Sequence, residues 1–341
     1  MSGPLHGVSI VEFEGIGPGP LCGRILAGMG AHVTVIARPT SNPLQEQFGG
    51  MDQEWSRGKT RIVLDLKDPA HREQAFRLAC GADALIEGNR PGVMERLGLG
   101  PAALAEHNPR LVYGRLTGWG QDGPLAHVAG HDLNYAALTG ALALSAHRGR
   151  VPILPPTVVG DGAGALGLAF GIACALFEVR GSGRGKVVDA AIVDIVAMLG
   201  GISQWACAVG QLGGEDASVF HDSPFYDVYR CACGGFITIG ALEPQFYALL
   251  LEKLEIADID PAAQFDRAAW PALKERLRLL FLQRTRQSWR GLLEGTDACF
   301  APVLSLAEAA RHPHNQARGN FVATGSGAFF GNTAPRFRDL A

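Results

Sequence analysis

The residue types most able to do chemistry sit on two glycine-rich turns: a His-Asp pair in GHDLNY (Gly130 to Tyr135) and a lone carboxylate in VVGDGAG (Val158 to Gly164). Glycines at that density let backbone approach a ligand closely. Two titratable groups on opposite sides of a bound molecule can take a proton from one face of a carbon and return one to the other. His131 and Asp161 are therefore the candidate catalytic residues. Each has a plainer role open to it. A histidine standing alone is most often a core or surface residue, and Asp161 immediately precedes a long apolar run, where an N-cap belongs. Capping and catalysis are compatible, because a helix N-terminus holds a carboxylate ionised and offers free N–H groups to a developing anion.

The elements that must position this pair read as an α/β domain with a parallel sheet. GVSIVEF (Gly7 to Phe13) is a strand-like apolar run, followed by GIGPGP, by LCGRILAGMGA at helical period, and by HVTVIAR ending at Arg38. Gly15, Gly17 and Gly19 do not complete the dinucleotide fingerprint, since Pro20 or Cys22 fills its last position, which weakens an NADP-dependent oxidoreductase reading. Arg38 stands where an acidic residue is usual. It suits a phosphorylated ribose, either the 2′-phosphate of NADP or the 3′-phosphate of coenzyme A. SRGKTRIVLDLKDP (Ser56 to Pro69), a helix through Cys80 and the strand ADALIEG form a second unit, closing on NRPGVMERLGLG. Arg57, Lys59, Arg61, Lys67, Arg90 and Arg96 gather in its turns, either around a phosphate-rich ligand or as a solvated basic face. LVYGRLTGWG is a further buried strand leading into the central motif.

Past the apolar helix expected over Ala163 to Val179, RGSGRGKVVDAAIVDIVAML supplies a turn, a strand and a helix. The pattern assigns 1–200 to a large domain, 201–224 to a linker, and 225–315 to a smaller α+β domain; 316–341 is expected to pack back on the large one. In the smaller domain, FYDVYRCACGGFITIGA reads as a hairpin around Gly234-Gly235, with helices over EPQFYALLLEKL, PALKERLRLLFLQRT and DACFAPVL. Glu243 opens the first of these, where an acid is favourable regardless of function. His221-Asp222 and His312-Pro-His314 lack companions and read as surface.

Of the 341 residues, 47% are apolar and 18% charged, as in an ordinary soluble globular protein with room for two domains. A net charge of -3 argues against protein-wide attraction to nucleic acid or anionic membrane. Seven scattered cysteines point to free thiols in a reducing compartment, and Cys231 with Cys233 lacks the second ligand pair of a zinc site. MSGPLHGVSI is not built like a signal peptide and Asp-Leu-Ala is not a peroxisomal ending, so a cytoplasmic location is expected. The apolar run from Ala163, short of 20 residues and interrupted by glycines, reads as a buried helix and not a membrane span.

GVSIVEFEGIGPGP, IARP, SRGKTRIVLDLKDP, ADALIEGNRPGVMERLGLGP, GRLTGWGQDGP, GHDLNY, VVGDGAG, GSGRGKVVDAAIVD, FYDVYRC and GALEPQFY cover nearly the whole chain in one order. In them the chain resembles the family III CoA-transferase superfamily and, within it, the α-methylacyl-CoA racemases. The resemblance implies a Rossmann-like large domain and a coenzyme A site in which Arg38, Lys67, Arg90 and Arg96 meet the phosphates. It further implies Leu64, Gly88, Asn89, Gly130 and Tyr135 as coenzyme A-contacting positions. Asp161 matches the carboxylate that the transferases use as nucleophile and the racemases as acid/base, and His131 matches the histidine that the racemases add. Glu243 matches a residue that pairs with the catalytic histidine of the partner subunit, which implies an interlocked homodimer. The implied activity is racemisation of 2-methylacyl-CoA thioesters with no metal or redox cofactor, the backbone N–H at Asp132 stabilising the enolate. The alternative is CoA transfer between carboxylic acids with Asp161 as nucleophile, against which His131 argues.

Overall fold

The computed structural model describes residues 3–40, 54–146, 149–325 and 327–339. The chain forms two compact units, one from Met1–Ala143, Ile153–Gly200 and Gly331–Ala341, the other from Leu144–Pro152 and Gly201–Phe330. Both are mixed α/β.

The first unit is built on six parallel strands, β1 (Ser9–Phe13), β2 (His32–Ala37), β3 (Lys59–Val63), β4 (Ala84–Glu87), β5 (Val112–Thr117) and β6 (Val187–Ala191), in the spatial order β3-β2-β1-β4-β5-β6. Alternation along β1 shows why the sheet is covered on both faces. Ile10 joins Cys22, Leu26, Leu168 and Ile172 in one core, while Val11 and Phe13 join Ala75, Ala79, Leu99 and Leu104 in another. The apolar helix runs the full 20 residues Ala163–Ser182, longer than the sequence pattern suggests. With the preceding turn it makes a 25-residue stretch long and apolar enough to cross a bilayer. Here its inner face belongs to the first core. Gly164, Gly167 and Gly171 lie against Ile192, Ile195 and Val188 so closely that a Cβ at any of them would overlap the neighbouring side chain.

The second unit carries an antiparallel sheet of β7 (Tyr226–Arg230), β8 (Phe236–Gly240) and β9 (Phe300–Pro302), with helices Pro244–Lys253, Trp270–Phe281 and Arg286–Leu293. DACFAPVL is therefore not a helix. Its Phe300–Pro302 pairs with β8, opposite Ile239 to Ile237, and Pro302 is tolerated because the strand is at the sheet's edge. The 201–224 stretch also differs from a plain linker. It opens with the helix Gly201–Ala208, and Ile202, Trp205, Ala206 and Val209 show the three-to-four spacing that makes it one. Of the closing residues, Gly331–Ala341 belong to the first unit, where the Arg24 guanidinium donates to the Gly331 carbonyl at 3.0 Å.

Candidate functional site

The strand order of the first unit reverses direction between β1 and β4, and ligands of such sheets bind in the crevice outside the carboxyl ends of the strands at that point. The residues singled out from the sequence fall along this edge. Arg38 follows β2, Leu64 and Lys67 follow β3, and Gly88, Asn89 and Arg90 follow β4. Leu64 is buried in the second core. Arg38, Lys67, Arg90 and Arg96 are exposed, and none forms an ion pair with a described carboxylate.

The remaining basic residues of the cluster are structural. Arg57 pairs with Glu54 at 3.3 Å, Arg61 with Glu14 at 3.1 Å, and Lys59 with Glu12 at 2.6 Å in a fully buried bridge. Glu14 also accepts the backbone N–H of Arg38 at 2.8 Å, so the turn bearing Arg38 is held from the end of β1. The cluster thus divides into cations consumed by the fold and cations presented to solvent at the crevice.

His131 and Asp161 are joined through the residue between them. Asp132 begins the helix Asp132–Leu138, with His131 as its N-cap. The Asp132 carboxylate reaches across to the second turn, where it accepts the N–H groups of Gly160 and Asp161, both at 2.8 Å, and of Thr157 at 3.1 Å. Three charge-assisted bonds hold a strained segment, since Thr157 has φ 63° and Val158–Gly162 is a turn of π-helix. Gly160 is obligatory here, because a Cβ would stand 2.5 Å from Asp132 Oδ1. Asp132 therefore contributes its side chain to the architecture, while its backbone N–H, at the first helical position, has no intrahelical acceptor.

Asp161 itself is not the cap of the following helix. It lies inside the π turn, the N-cap position falls to Gly162, and the Asp161 carboxylate makes no hydrogen bond to a described residue. It lies beside the β1 turn: a Cβ on Gly17, whose φ of 73° favours glycine, would be 3.4 Å from Asp161 Oδ2. Burial, reinforced by the Asp132 charge and opposed by His131, pushes the Asp161 carboxyl up to about 6. It is poised to gain or lose a proton near neutrality, and His131 is close enough for its charge to be felt. Tyr135 packs edge-to-face on Trp119 at 4.8 Å and donates its hydroxyl to the Gly130 carbonyl, which fixes the loop in front of His131.

In the second unit, Glu243 is the exposed N-cap residue of Pro244–Lys253, and its side chain makes no capping bond. The other histidine pairs have structural roles that their spacing does not reveal. His221 bonds the Leu144 carbonyl at 3.0 Å and Asp222 accepts the Ser218 N–H at 2.7 Å. His312 accepts the His314 N–H on Nδ1 at 3.3 Å, and its Nε2 lies 2.7 Å from Glu294 Oε1 and 3.1 Å from Arg290 Nη2. Among the described residues no three His, Cys, Asp or Glu side chains cluster as metal ligands.

The model of CoA-transferase family III matches residues 5–339. The chain is 40% identical over 330 residues to the alpha-methylacyl-CoA racemase of Homo sapiens, covering 94% of this chain and 83% of that one. It is 30% identical over 352 residues to the acetyl-CoA:oxalate CoA-transferase of Acetobacter aceti, covering 97% and 88%. Among solved structures, Rv3272 of Mycobacterium tuberculosis superposes with a TM-score of 0.81 at 26% identity, covering 99% and 94%.

Proposed function

The chain belongs to CoA-transferase family III, and from that premise we propose that it interconverts the (2R) and (2S) forms of 2-methylacyl-CoA thioesters by 1,1-proton transfer through an enolate. The observation that carries this reading is the Asp161 carboxylate, raised to about 6, bonded to no described residue, and within electrostatic reach of His131. One of the two removes the α-proton, and the other, already protonated, delivers a proton to the opposite face. The Asp132 N–H is the donor for the enolate oxygen, a contact worth roughly 3 kcal/mol where such donors are well aimed. Arg38, Lys67, Arg90 and Arg96 receive the phosphates of coenzyme A. No step of this route calls for a metal or a redox cofactor.

The same unpartnered carboxylate would serve as a nucleophile in a transferase, which is the second reading. Deuterium uptake at the α-carbon of one enantiomer in D2O, with no acceptor acid present, separates them. Exchange with loss of optical purity is expected. Absence of exchange across several chain lengths, with turnover appearing only when an acceptor acid is added, would establish transfer instead.

The pH profile follows from the shared proton. The His-neutral, Asp-protonated and His-charged, Asp-ionised forms are tautomers with one proton between them, so their ratio is independent of pH. The kcat/KM profiles of the two enantiomers should therefore superimpose. Both should fall as pH drops through about 6, where Asp161 takes up the second proton. Asp132→Asn removes a charge that raises Asp161, so its acid limb should move to lower pH. Profiles for the two enantiomers displaced from one another by a pH unit would contradict the scheme.

A homodimer is part of the proposal. Leu166, Phe170 and Phe177 on the outer face of Ala163–Ser182 are 53%, 67% and 78% exposed, an apolar stripe that a second copy would cover. Sedimentation equilibrium giving the mass of one chain at micromolar concentration would refute this.

A further inference from the structure

We propose that Arg115 is a positioning residue for the basic turn after β4, setting the affinity for the phosphate-bearing end of coenzyme A without taking part in the proton transfers. This rests on the reading of that turn as part of the coenzyme A site. The turn is an arch. One foot is Glu87, the last residue of β4, 2% exposed, whose Oε2 accepts the Asn89 N–H at 2.7 Å. The other foot is Glu95, in the short helix Val93–Arg96. Arg90 sits on the span between them, and Arg96 folds back over Gly92, where its Nη1 would lie 3.2 Å from a Cβ.

A single guanidinium holds both feet. Arg115, on the neighbouring strand β5 and 8% exposed, bonds Glu95 Oε1 through Nη2 and faces Glu87 Oε1 with Nε at 3.3 Å, an ion pair without a hydrogen bond. Its remaining nitrogen, Nη1, donates to Gln121 Oε1 at 2.9 Å, and its Cζ lies 5.2 Å from the Tyr113 ring centroid. Tyr113 in turn donates its hydroxyl to the Leu99 carbonyl at 2.9 Å, just beyond the short helix. The planar fork lets one charge serve three partners, two by hydrogen bonds to Glu95 and Gln121 and Glu87 by charge alone. A lysine at this position supplies the charge but bridges one carboxylate at a time.

Burial pushes the Glu87 carboxyl up to about 6, against the Asn89 N–H and the Arg115 charge, which lower it. With the arginine gone, Glu87 takes up a proton more readily and its hold on the Asn89 N–H loses charge assistance. The backbone that carries Arg90 then loses its anchor at the β4 end of the turn.

The test is calorimetric binding of coenzyme A and of pantetheine, which has the same thiol arm and no phosphate, to Arg115→Met, Arg115→Lys and Glu95→Gln. Glu95 is largely exposed, so its amide leaves no buried charge and keeps the comparison open if Arg115→Met folds poorly. Coenzyme A should bind Arg115→Met at least tenfold more weakly than wild type, with Arg115→Lys intermediate and Glu95→Gln weakened about threefold. Pantetheine should bind all four proteins alike. In turnover the defect should appear in KM, with kcat within about threefold of wild type. Wild-type affinity for coenzyme A in Arg115→Met and Glu95→Gln would overturn the proposal while leaving the coenzyme A reading intact. Equal weakening toward pantetheine would overturn it in favour of a general structural role, and a wild-type protein that binds no coenzyme A would overturn both.

Discussion

His131→Ala and Asp161→Asn should each lower racemisation of a 2-methylacyl-CoA by at least a thousandfold, yet leave exchange of the α-proton for one enantiomer only, a different one in each variant. The expectation follows from having one base on each face. Removing either abolishes inversion, because no group remains to protonate the opposite side, and acid–base contributions of this kind reach about 10²–10⁴-fold. The surviving base can still take the proton that faces it, exchange it with solvent and return it to the same face. Proton NMR in D2O follows the exchange, and chiral separation of the released acids follows the inversion. Retention of exchange on the same enantiomer in both variants would show that the two residues do not stand on opposite faces. Racemisation within tenfold of wild type in His131→Ala would remove that residue from the mechanism. Neither substitution strips the Asp132 clamp, since Asp132 binds the backbone of Asp161 and not its side chain.

How the pair is held could not be read along the chain. GHDLNY and VVGDGAG stand out because histidine, aspartate and glycine together are chemically conspicuous. The bonds that join them run from Asp132 to backbone groups 25 to 29 residues away, and nothing local marks them. For the same reason Asp161 reads as a helix cap: the apolar run starts just after it, while the π turn that displaces the cap to Gly162 has no sequence signature. The parallel sheet was legible, since alternating apolar runs and helical periods allow few other topologies. Its edge strand β9 was not, because three residues ending in proline are too short to show alternation. The basic cluster was half legible. Charge type is visible in Arg57, Lys59 and Arg61, but their partners Glu54, Glu12 and Glu14 are chosen by strand order, so structural and ligand-facing cations look alike until the sheet is built.

The buried member of that set carries the largest expected effect on stability. Lys59 enters β3 with its side chain fully buried, spans to Glu12 on β1 at 2.6 Å, and donates to the Pro20 carbonyl at 2.9 Å in the first turn of the helix after β1. It ties the outer strand of the sheet to the turn that lies beside Asp161. Burial raises the Glu12 carboxyl and lowers the Lys59 ammonium, each opposed by the other's charge. Deleting one partner strands the other in the core, so Lys59→Met should cost about 3–5 kcal/mol in urea unfolding of the first unit. Replacing both, with Glu12→Leu and Lys59→Met, should recover most of that loss, because two apolar groups leave no charge to desolvate. The pH dependence has a definite sign. An acid whose folded pKa lies above its unfolded value binds its proton more tightly when folded, so its penalty is present above the folded pKa and fades as pH falls toward the unfolded one. Without Lys59 the Glu12 carboxyl rises beyond its present value of about 7, and the deficit of the single variant should be largest at pH 8 and shrink at pH 5. A single variant within 1 kcal/mol of wild type at pH 8 would mean that the bridge only fills space, and that the turn beside Asp161 is held by its packing alone.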